Sequence, residues 1–460
     1  MVEVAPIVTG LPARADAVVI GSGFAGCAAA VRLAERGSRV VVVEEAPRLG
    51  GRATSFVDRD SGERVDNGQH ALFGCYRDTY ELLGTLGMAE RAPLQPSLSV
   101  TMADDTGRTA TLTCPPLPAP WHLIAGVLRW SALGVADRLA VMKLRRFLRD
   151  VQTHGAAGMA AAVPPALTVN AWLRANGQTD RLCEWLWGPL AIAALNQSPD
   201  VAAAAPFVRV LGELFAPDRQ ASAIGLPAVP LDDLFANPTR TFLEARGGAV
   251  VTRASARVTC EGSSVTGVRI GDAFVSAPVV ISAVAWHAFG RLFGDTAPVA
   301  LRDVLDHAAQ MPSSPIVTVN LWLDDADELP GAFIGLVGGP MHWIFAKSQL
   351  FGGPVEHLSV VASGAVELLR QANAEVTAAA HAQMSRAVPA LRRSRIRRAV
   401  VVREPRATFS LAPDAPVRPA TRTGLTGFFL AGDWTDTGLP GTIEGAVQSG
   451  FTAAAAAASP

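Results

Sequence analysis

Cysteine, lysine and tyrosine are scarce in this 460-residue chain. Five cysteines (Cys27, Cys75, Cys114, Cys183, Cys260) form no CxxC pair, which argues against structural zinc or a disulfide framework and suits reduced thiols in a cytoplasmic compartment. No metal is expected. An excess of one charge is missing too: 40 basic against 41 acidic residues leave a net charge of -1, so no global field gathers phosphate backbones and no nucleic-acid partner is expected. Met1 to Ala15 lack a basic segment followed by an apolar one, so no signal peptide is expected. The charge-free stretch Thr109 to Leu128 is interrupted by Pro115, Pro116, Pro118 and Pro120, which makes a poor spanning helix. What is abundant is apolar: 49% hydrophobic against 18% charged residues support a large core and exclude disorder as the main state.

The amino-terminal region reads as one βαβ opening. Ala17 to Ile20 has strand character and meets Gly21-Ser22-Gly23-Phe24-Ala25-Gly26, a helical stretch follows to Arg36, Gly37 stops it, and Val40 to Val43 form a second strand ended by Glu44 and Glu45. Each position has a physical task in holding a dinucleotide. Gly21 permits the tight turn, Gly23 lets the backbone approach a pyrophosphate, Gly26 lets helix and strand pack closely, and the free helix N–H groups face phosphate. Glu44 stands where an acidic side chain accepts hydrogen bonds from the adenosine ribose. Further on, Gly50-Gly51-Arg52 and Asp66-Asn67-Gly68-Gln69-His70 suggest backbone wrapped along an elongated cofactor.

Near the other end, Phe428 to Ala431 is strand-like, runs into Gly432-Asp433, and is followed by a helix start at Gly441-Thr442-Ile443-Glu444-Gly445-Ala446. The strand-to-helix grammar repeats. A helix N-terminus carries about half a positive charge and suits an electron-rich ring. Between these ends, 247–275 reads as a small β-meander and Pro278 to Ala283 as a returning buried strand.

Glu44, the Gly50-Gly51-Arg52 run and the distant Gly432-Asp433 together resemble the FAD-containing amine oxidase and phytoene desaturase superfamily. The resemblance implies FAD, an α/β fold with a Rossmann-like FAD-binding domain of the GR2 type, and an α+β substrate domain inserted between its pieces. The expected division is 1–75, 236–290 and 400–460 for the flavin, with 76–235 and 291–399 as substrate domain or lid. It also implies Asp433 at the ribitol and phosphate, Thr442 to Ala446 beside the flavin pyrimidine, and Val258 backbone at the adenine. With Asp66 to Tyr76, Met341 to Phe345 and Gly432 to Ala446, the likeness narrows to the squalene-associated FAD-dependent desaturases, the hydroxysqualene dehydroxylases of hopanoid synthesis. That family implies reduction of a long isoprenoid alcohol by reduced FAD with loss of water.

Such a reaction needs an acid for a poor leaving group. His70, Asp66, Asp436 and Glu444 are the candidates near the inferred flavin, with His70 favoured as a proton carrier near neutral pH. Asp66 and His70 also fit a plainer task, holding the turn around Gly68. Two further stretches stay open. Trp185 to Val208 is almost free of charge and fits either core helices or a hydrocarbon tunnel. Trp121 to Trp130 followed by Arg138, Lys143, Arg145, Arg146 and Arg149 fits either a peripheral membrane contact or a basic helix packed on the core.

The competing activities are constrained by what is scarce. The only tyrosines are Tyr76 and Tyr80, and Lys347 is the only lysine beside Lys143, so a late tyrosine cage for amine oxidation is absent. Carotenoid desaturation, with hydride flowing the other way, needs the same flavin and tunnel. A prenyl-binding carrier that has lost flavin would not need Gly21, Gly23, Gly26, Glu44 and Asp433 together. No second dinucleotide fingerprint is present, so the electron donor is unassigned.

Overall fold

The computed structural model describes residues 11–294, 297–352 and 356–458. The first ten residues, part of the stretch read above as lacking a signal peptide, lie outside that set. Two sheets organise the chain. The first is parallel and five-stranded, in the order Phe428–Leu430, Val279–Ser282, Ala17–Ile20, Val40–Val43, Ala249–Val251. Its three central strands are buried along almost their whole length, which explains why Ala17–Ile20 and Val40–Val43 read as unbroken apolar runs. The helices Phe24–Glu35 and Ile443–Ala457 pack against each other over this sheet, with the Gly450 Cα close to the Ala25 carbonyl.

Ala249–Val251 departs from the expected meander. It pairs in parallel with Val41 to Val43 as the fifth strand, and the three-stranded antiparallel unit begins only at Ala256–Glu261, continuing through Ser264–Ile270 and Ala273–Ser276. Three apolar residues after a helix satisfy either neighbour, and long-range pairing decides.

The second sheet has seven strands in the order Arg395–Phe409, Ser313–Asp324, His357–Ser363, Trp343–Ala346, Phe333–Val337, Ser99–Asp104, Thr109–Thr113. Residues 400–409, expected in the flavin piece, continue the edge strand of this sheet. Val317, Val319, Leu321 and Leu323 point to one face, where they pack with Val376, Ala380 and Met384 of the helix Asn373–Ala387. The alternate residues face the first sheet's side of the molecule. Helices from Trp121 to Leu214 build a further apolar layer around Trp130, Trp172, Trp185 and Phe207. Among the described residues no helix is long and apolar enough to cross a membrane, and no group of His, Cys, Asp or Glu could hold a metal ion.

Candidate active site

Four strands of the parallel sheet end at one cavity. Gly21 follows Ile20, Glu44 follows Val43, Ala283 follows Ser282, and Gly432 lies just past Leu430, and all four line a space of about 660 Å³ at the carboxyl edge. Ligands of open α/β sheets bind at that edge. Gly21 has φ +103°, and a Cβ there would stand 2.8 Å from the Ala283 carbonyl oxygen, so the turn excludes larger residues. Gly26 does not reach the cavity. A Cβ there would lie 1.9 Å from the Gly21 carbonyl oxygen, so its task is close packing under the turn.

The acidic residue after the second strand is held by the turn it faces. Glu44 Oε2 accepts from the Ser22 backbone N at 2.9 Å and from Ser22 Oγ at 2.7 Å, and Oε1 accepts from Ala46 N at 2.8 Å. Glu45, also on the lining, is half-exposed and pairs with Arg291 at 3.4 Å. On the other side of the cavity Arg52 and Asp433 form a two-point ion pair, Nη2 to Oδ1 at 2.5 Å and Nη1 to Oδ2 at 3.0 Å, and Arg52 Nη1 also donates to Ala407 O at 2.6 Å. Burial opposes the Arg52 charge, but Asp433 overrides it and holds the guanidinium's pKa above its ordinary value. Thr442 caps the last helix by accepting from Gly445 N at 3.2 Å, so the positive helix end meets the cavity at Gly441, Thr442, Ile443 and Ala446.

The lining gathers Ser22, Gly23, Phe24, Ala25, Gly50, Gly51, Gly68, Gln69 and His70 with these groups. Val258 is not among them. The chain reaches the cavity at Ala254 to Arg257 instead, and by Val258 it has turned into the antiparallel unit. Asp436 also stands apart: its side chain is 65% exposed and lies 3.7 Å from Arg418. Asp66 is buried behind the lining, accepting from Ser55 Oγ at 2.5 Å and lying 3.2 Å from Lys347 Nζ.

Glu444 points away from the cavity as well. Its carboxylate accepts from Asp78 N at 3.0 Å, Thr79 N at 2.9 Å and Thr79 Oγ1 at 2.6 Å, tying the last helix to the amino end of the helix Arg77–Thr85. Burial outweighs these bonds and pushes the carboxyl up to about 7. A folded-state value above the ordinary 4.5 means the folded form binds the proton more tightly, so this stabilisation is complete below about pH 4.5 and is lost as pH rises through 7. Unfolding free energies from urea melts at pH 5 and pH 8 are expected to differ by about 2–3 kcal/mol through this group, and Glu444→Gln is expected to flatten the difference.

His70 is the one acid candidate on the lining. Its Nδ1 lies 2.9 Å from the Gly68 carbonyl and therefore donates to it. Burial, the largest influence, draws the imidazole pKa below its ordinary value and so disfavours its charged form.

Sequence reasoning missed several lining groups. Ala283 to Ala285 follow a parallel strand, a signal that strand order could have used, whereas Thr408 and Glu404 arrive from the second sheet and Asn196 from a helix end at φ 51°, none with a local signature. It also left the charge-free Trp185 to Pro199 stretch open. Pro189, Leu190 and Ala193 of the helix Gly188–Leu195 line a second cavity of about 170 Å³, whose walls include Met102, Trp130, Trp185, Trp187 and Phe215 and only one charged residue, Arg145. Phe73, Ala193, Ile224 and Trp343 line both cavities, so the two spaces adjoin.

Comparison with known proteins decides what such a pair of spaces belongs to: residues 24–458 match the model of the flavin containing amine oxidoreductases. The chain belongs to that family. It is accordingly a flavoprotein oxidoreductase with FAD as cofactor, and the residues present fit the group. A Cβ at Gly23 would have nothing within 4 Å and would project into open space, the cradle that a pyrophosphate needs, while the volume falls in the range of organic ligand sites. The chain is 27% identical over 447 residues to a hydroxysqualene dehydroxylase of Zymomonas mobilis, covering 95% of this chain and 97% of that one. A hydroxysqualene dehydroxylase of Rhodopseudomonas palustris is 28% identical, with 95% and 96% covered, and a 15-cis-phytoene desaturase of Narcissus pseudonarcissus is 24% identical, with 95% and 78% covered. Among solved structures, an oxidoreductase from Methanosarcina mazei shares the fold with a TM-score of 0.72 at 17% identity, covering 95% and 99% of the two chains.

Proposed function

We propose that this flavoenzyme reductively removes the hydroxyl group of a long isoprenoid alcohol, with hydroxysqualene as substrate and squalene as product. The carrying observation is the second cavity: an almost wholly apolar space that adjoins the flavin cavity across Phe73, Ala193, Ile224 and Trp343. The full-length likeness to two hydroxysqualene dehydroxylases supports the choice of substrate. FAD, when bound in reduced form, supplies the hydride.

The chain's own residues do the rest. Arg52, Asp433, Glu44 and the Thr442 helix end hold and orient the cofactor. Phe333, Trp343 and Phe345 wall the inner part of the flavin cavity and keep water from the carbon that loses oxygen. The C–O bond breaks with its electron pair on oxygen, that oxygen takes a proton and leaves as water, and the carbon takes the hydride. His70 is the group on the lining that passes the proton, and because burial disfavours its charged form the proton must be resupplied in each turnover. Anaerobic mixing of photoreduced enzyme with hydroxysqualene should reoxidise the flavin and yield squalene in equal amounts. Flavin that stays reduced would reject the reading.

A second reading, carotenoid desaturation, is favoured by the phytoene and zeta-carotene desaturases among the relatives. It predicts reduction of oxidised flavin by phytoene, which anaerobic mixing of the oxidised enzyme with phytoene detects as loss of the flavin's visible absorbance.

The substrate's insolubility bears on where the protein works. Trp121 is 60% exposed, Val135 72% and Leu139 65%, beside the exposed Arg129, Lys143, Arg145, Arg146 and Arg149. Trp130 is buried and plays no part in this surface. Leu123, Ile124 and Val127 from the same helix as Trp121 line the apolar cavity. A peripheral contact of this face with anionic lipid would feed the cavity directly. Flotation with anionic liposomes should carry the protein upward, and Trp121→Ser with Leu139→Ser should reduce the bound fraction several-fold; equal flotation of both forms would remove the surface from consideration.

A further inference from the structure

We infer that a buried row of polar side chains on the inner face of the seven-stranded sheet, entered at Glu63 and His357, brings the proton of each turnover to the flavin cavity. The inference rests on the reductive reading above, which consumes a proton in a space walled by aromatic rings.

The row follows from strand register. On Ser313–Asp324 the residues Ile316, Thr318, Asn320 and Trp322 share one face, and across from them on His357–Ser363 stand Ser363, Val361, Ser359 and His357. The opposite face is wholly aliphatic, as the packing against Asn373–Ala387 demands. The inner face is polar although it is equally buried: Asn320 has no exposed surface, Thr318 and Ser359 keep 1%, and Trp322 and His357 keep 2%. Neither Oδ1 nor Nδ2 of Asn320 has a hydrogen-bond partner among the described residues, and the same holds for Thr318 Oγ1, Trp322 Nε1 and His357 Nε2. Buried polar atoms of folded proteins are satisfied by protein or by ordered water, and a water needs two to four such partners. Five of them along four residues of strand, about 13 Å, are the lining of a water-bridged path.

Both ends lead somewhere. At the outer end His357 Nδ1 lies 3.0 Å from Glu63 Oε2, whose side chain is 30% exposed, and the imidazole stacks on Trp322 with centroids 4.2 Å apart. At the inner end Thr318 Oγ1 lies 3.7 Å from where a Cβ would stand at Gly68, and Gly68, Ile316, Val361 and Ser363 line the flavin cavity. Beside the row, Lys347 Nζ bridges Asp66 Oδ2 at 3.2 Å and Gln69 Oε1. Burial is the largest influence on the His357 and His70 imidazoles and draws His357 down to about 3, with the Lys347 and Asp66 charges as lesser influences, so His357 relays a proton only in passing. The charged groups around the path are thus Asp58, Glu63, Asp66, Lys347 and Arg398, the last with its guanidinium 5.6 Å from the Trp322 ring. A proton taken up at Glu63 crosses His357, received on one ring nitrogen and released from the other, passes along the row, and arrives at Gly68 to His70, where the departing oxygen takes it; reduction of bound flavin, which itself takes up a proton, would draw on the same supply.

The test uses the flavin-loaded enzyme. His357→Phe keeps the stack on Trp322 and removes both nitrogens, and Glu63→Gln alters only the half-exposed entrance. Proton uptake during photoreduction of the bound flavin, followed with a pH-indicator dye and no substrate present, is expected to slow at least about 10-fold in His357→Phe and less in Glu63→Gln, with unchanged flavin content and absorbance. Imidazole added to His357→Ala is expected to restore part of the rate. Should the His357 variants fail to fold, Asn320→Leu interrupts the row with a side chain of similar size and carries the same expectation. Uptake at the wild-type rate in Glu63→Gln and in either interior variant overturns the inference. Slowed uptake in variants of an enzyme that leaves hydroxysqualene untouched would uphold the path and reject the substrate, whereas wild-type uptake with normal squalene formation would do the reverse.

Discussion

Ala193→Phe is expected to leave the cofactor in place and shut the long substrate out. Ala193 projects from the helix Gly188–Leu195 where the two cavities adjoin, opposite Phe73, Ile224 and Trp343. A phenyl ring there fills the passage, while the groups proposed to hold the flavin, Arg52, Glu44, Asp433 and Thr442, lie on other elements. The kcat/KM for hydroxysqualene should fall at least about 100-fold, equivalent to ~2.7 kcal/mol, with flavin content unchanged. A short isoprenoid alcohol that needs only the inner part of the first cavity should lose much less. Thermal melting guards against overpacking, which costs about 1–3 kcal/mol in tight cores. Full activity on the long substrate in a folded variant would mean that the apolar cavity is not where the chain lies.

Asp433→Ala should produce the second large effect, this time on the holoenzyme itself. Asp433 is 3% exposed and meets Arg52 at two points, and Arg52 is tied in turn to Ala407 in the second sheet. Removing the carboxylate leaves the guanidinium with only the Ala407 carbonyl and the more distant charge of Glu404, and releases a link between the sheets. Breaking a buried pair costs about 3–5 kcal/mol, and the lower end applies because the Arg52 side chain keeps 32% of its surface. Flavin per protein, read from the visible absorbance of the purified variant, should drop to about a tenth or less, with a lower urea midpoint. Asp433→Asn keeps the shape and should fall between the two. A fully yellow, fully stable Asp433→Ala would show that the pair is ornamental.

The contrast between what was legible in sequence and what was not follows the range of the forces involved. The Gly21 to Gly26 turn, Glu44 and the Thr442 cap are local: a glycine forced to φ +103°, a strand ending, and a threonine accepting from three residues ahead are all written within a few positions. Orientation around a helix was harder. Ile443 and Ala446 share the cavity face because they are three residues apart, but Glu444 sits about 100° round and reaches the helix Arg77–Thr85 instead. Val258 was displaced for a similar reason, since only coordinates reveal that the strand reaches the cavity at Ala254 to Arg257 and then turns away. Ala249–Val251 was misassigned because a short apolar strand carries no mark of its partner. The polar row on Ser313–Asp324 was invisible because alternation shows that a strand has two faces, not that the polar one is buried.

The order in which the chain is made bears on how the holoenzyme forms. The cavity's floor is built from residues near position 20 and its far wall from residues near 440, and the helix that closes it lies against the first helix of the chain. A growing polypeptide therefore exposes the glycine turn long before the opposing wall exists, and the cavity is complete only after synthesis has passed the Thr442 cap. A flavin that spans both walls would favour their docking, and the supply of FAD would act as a thermodynamic pull on that step, growing as the logarithm of its concentration.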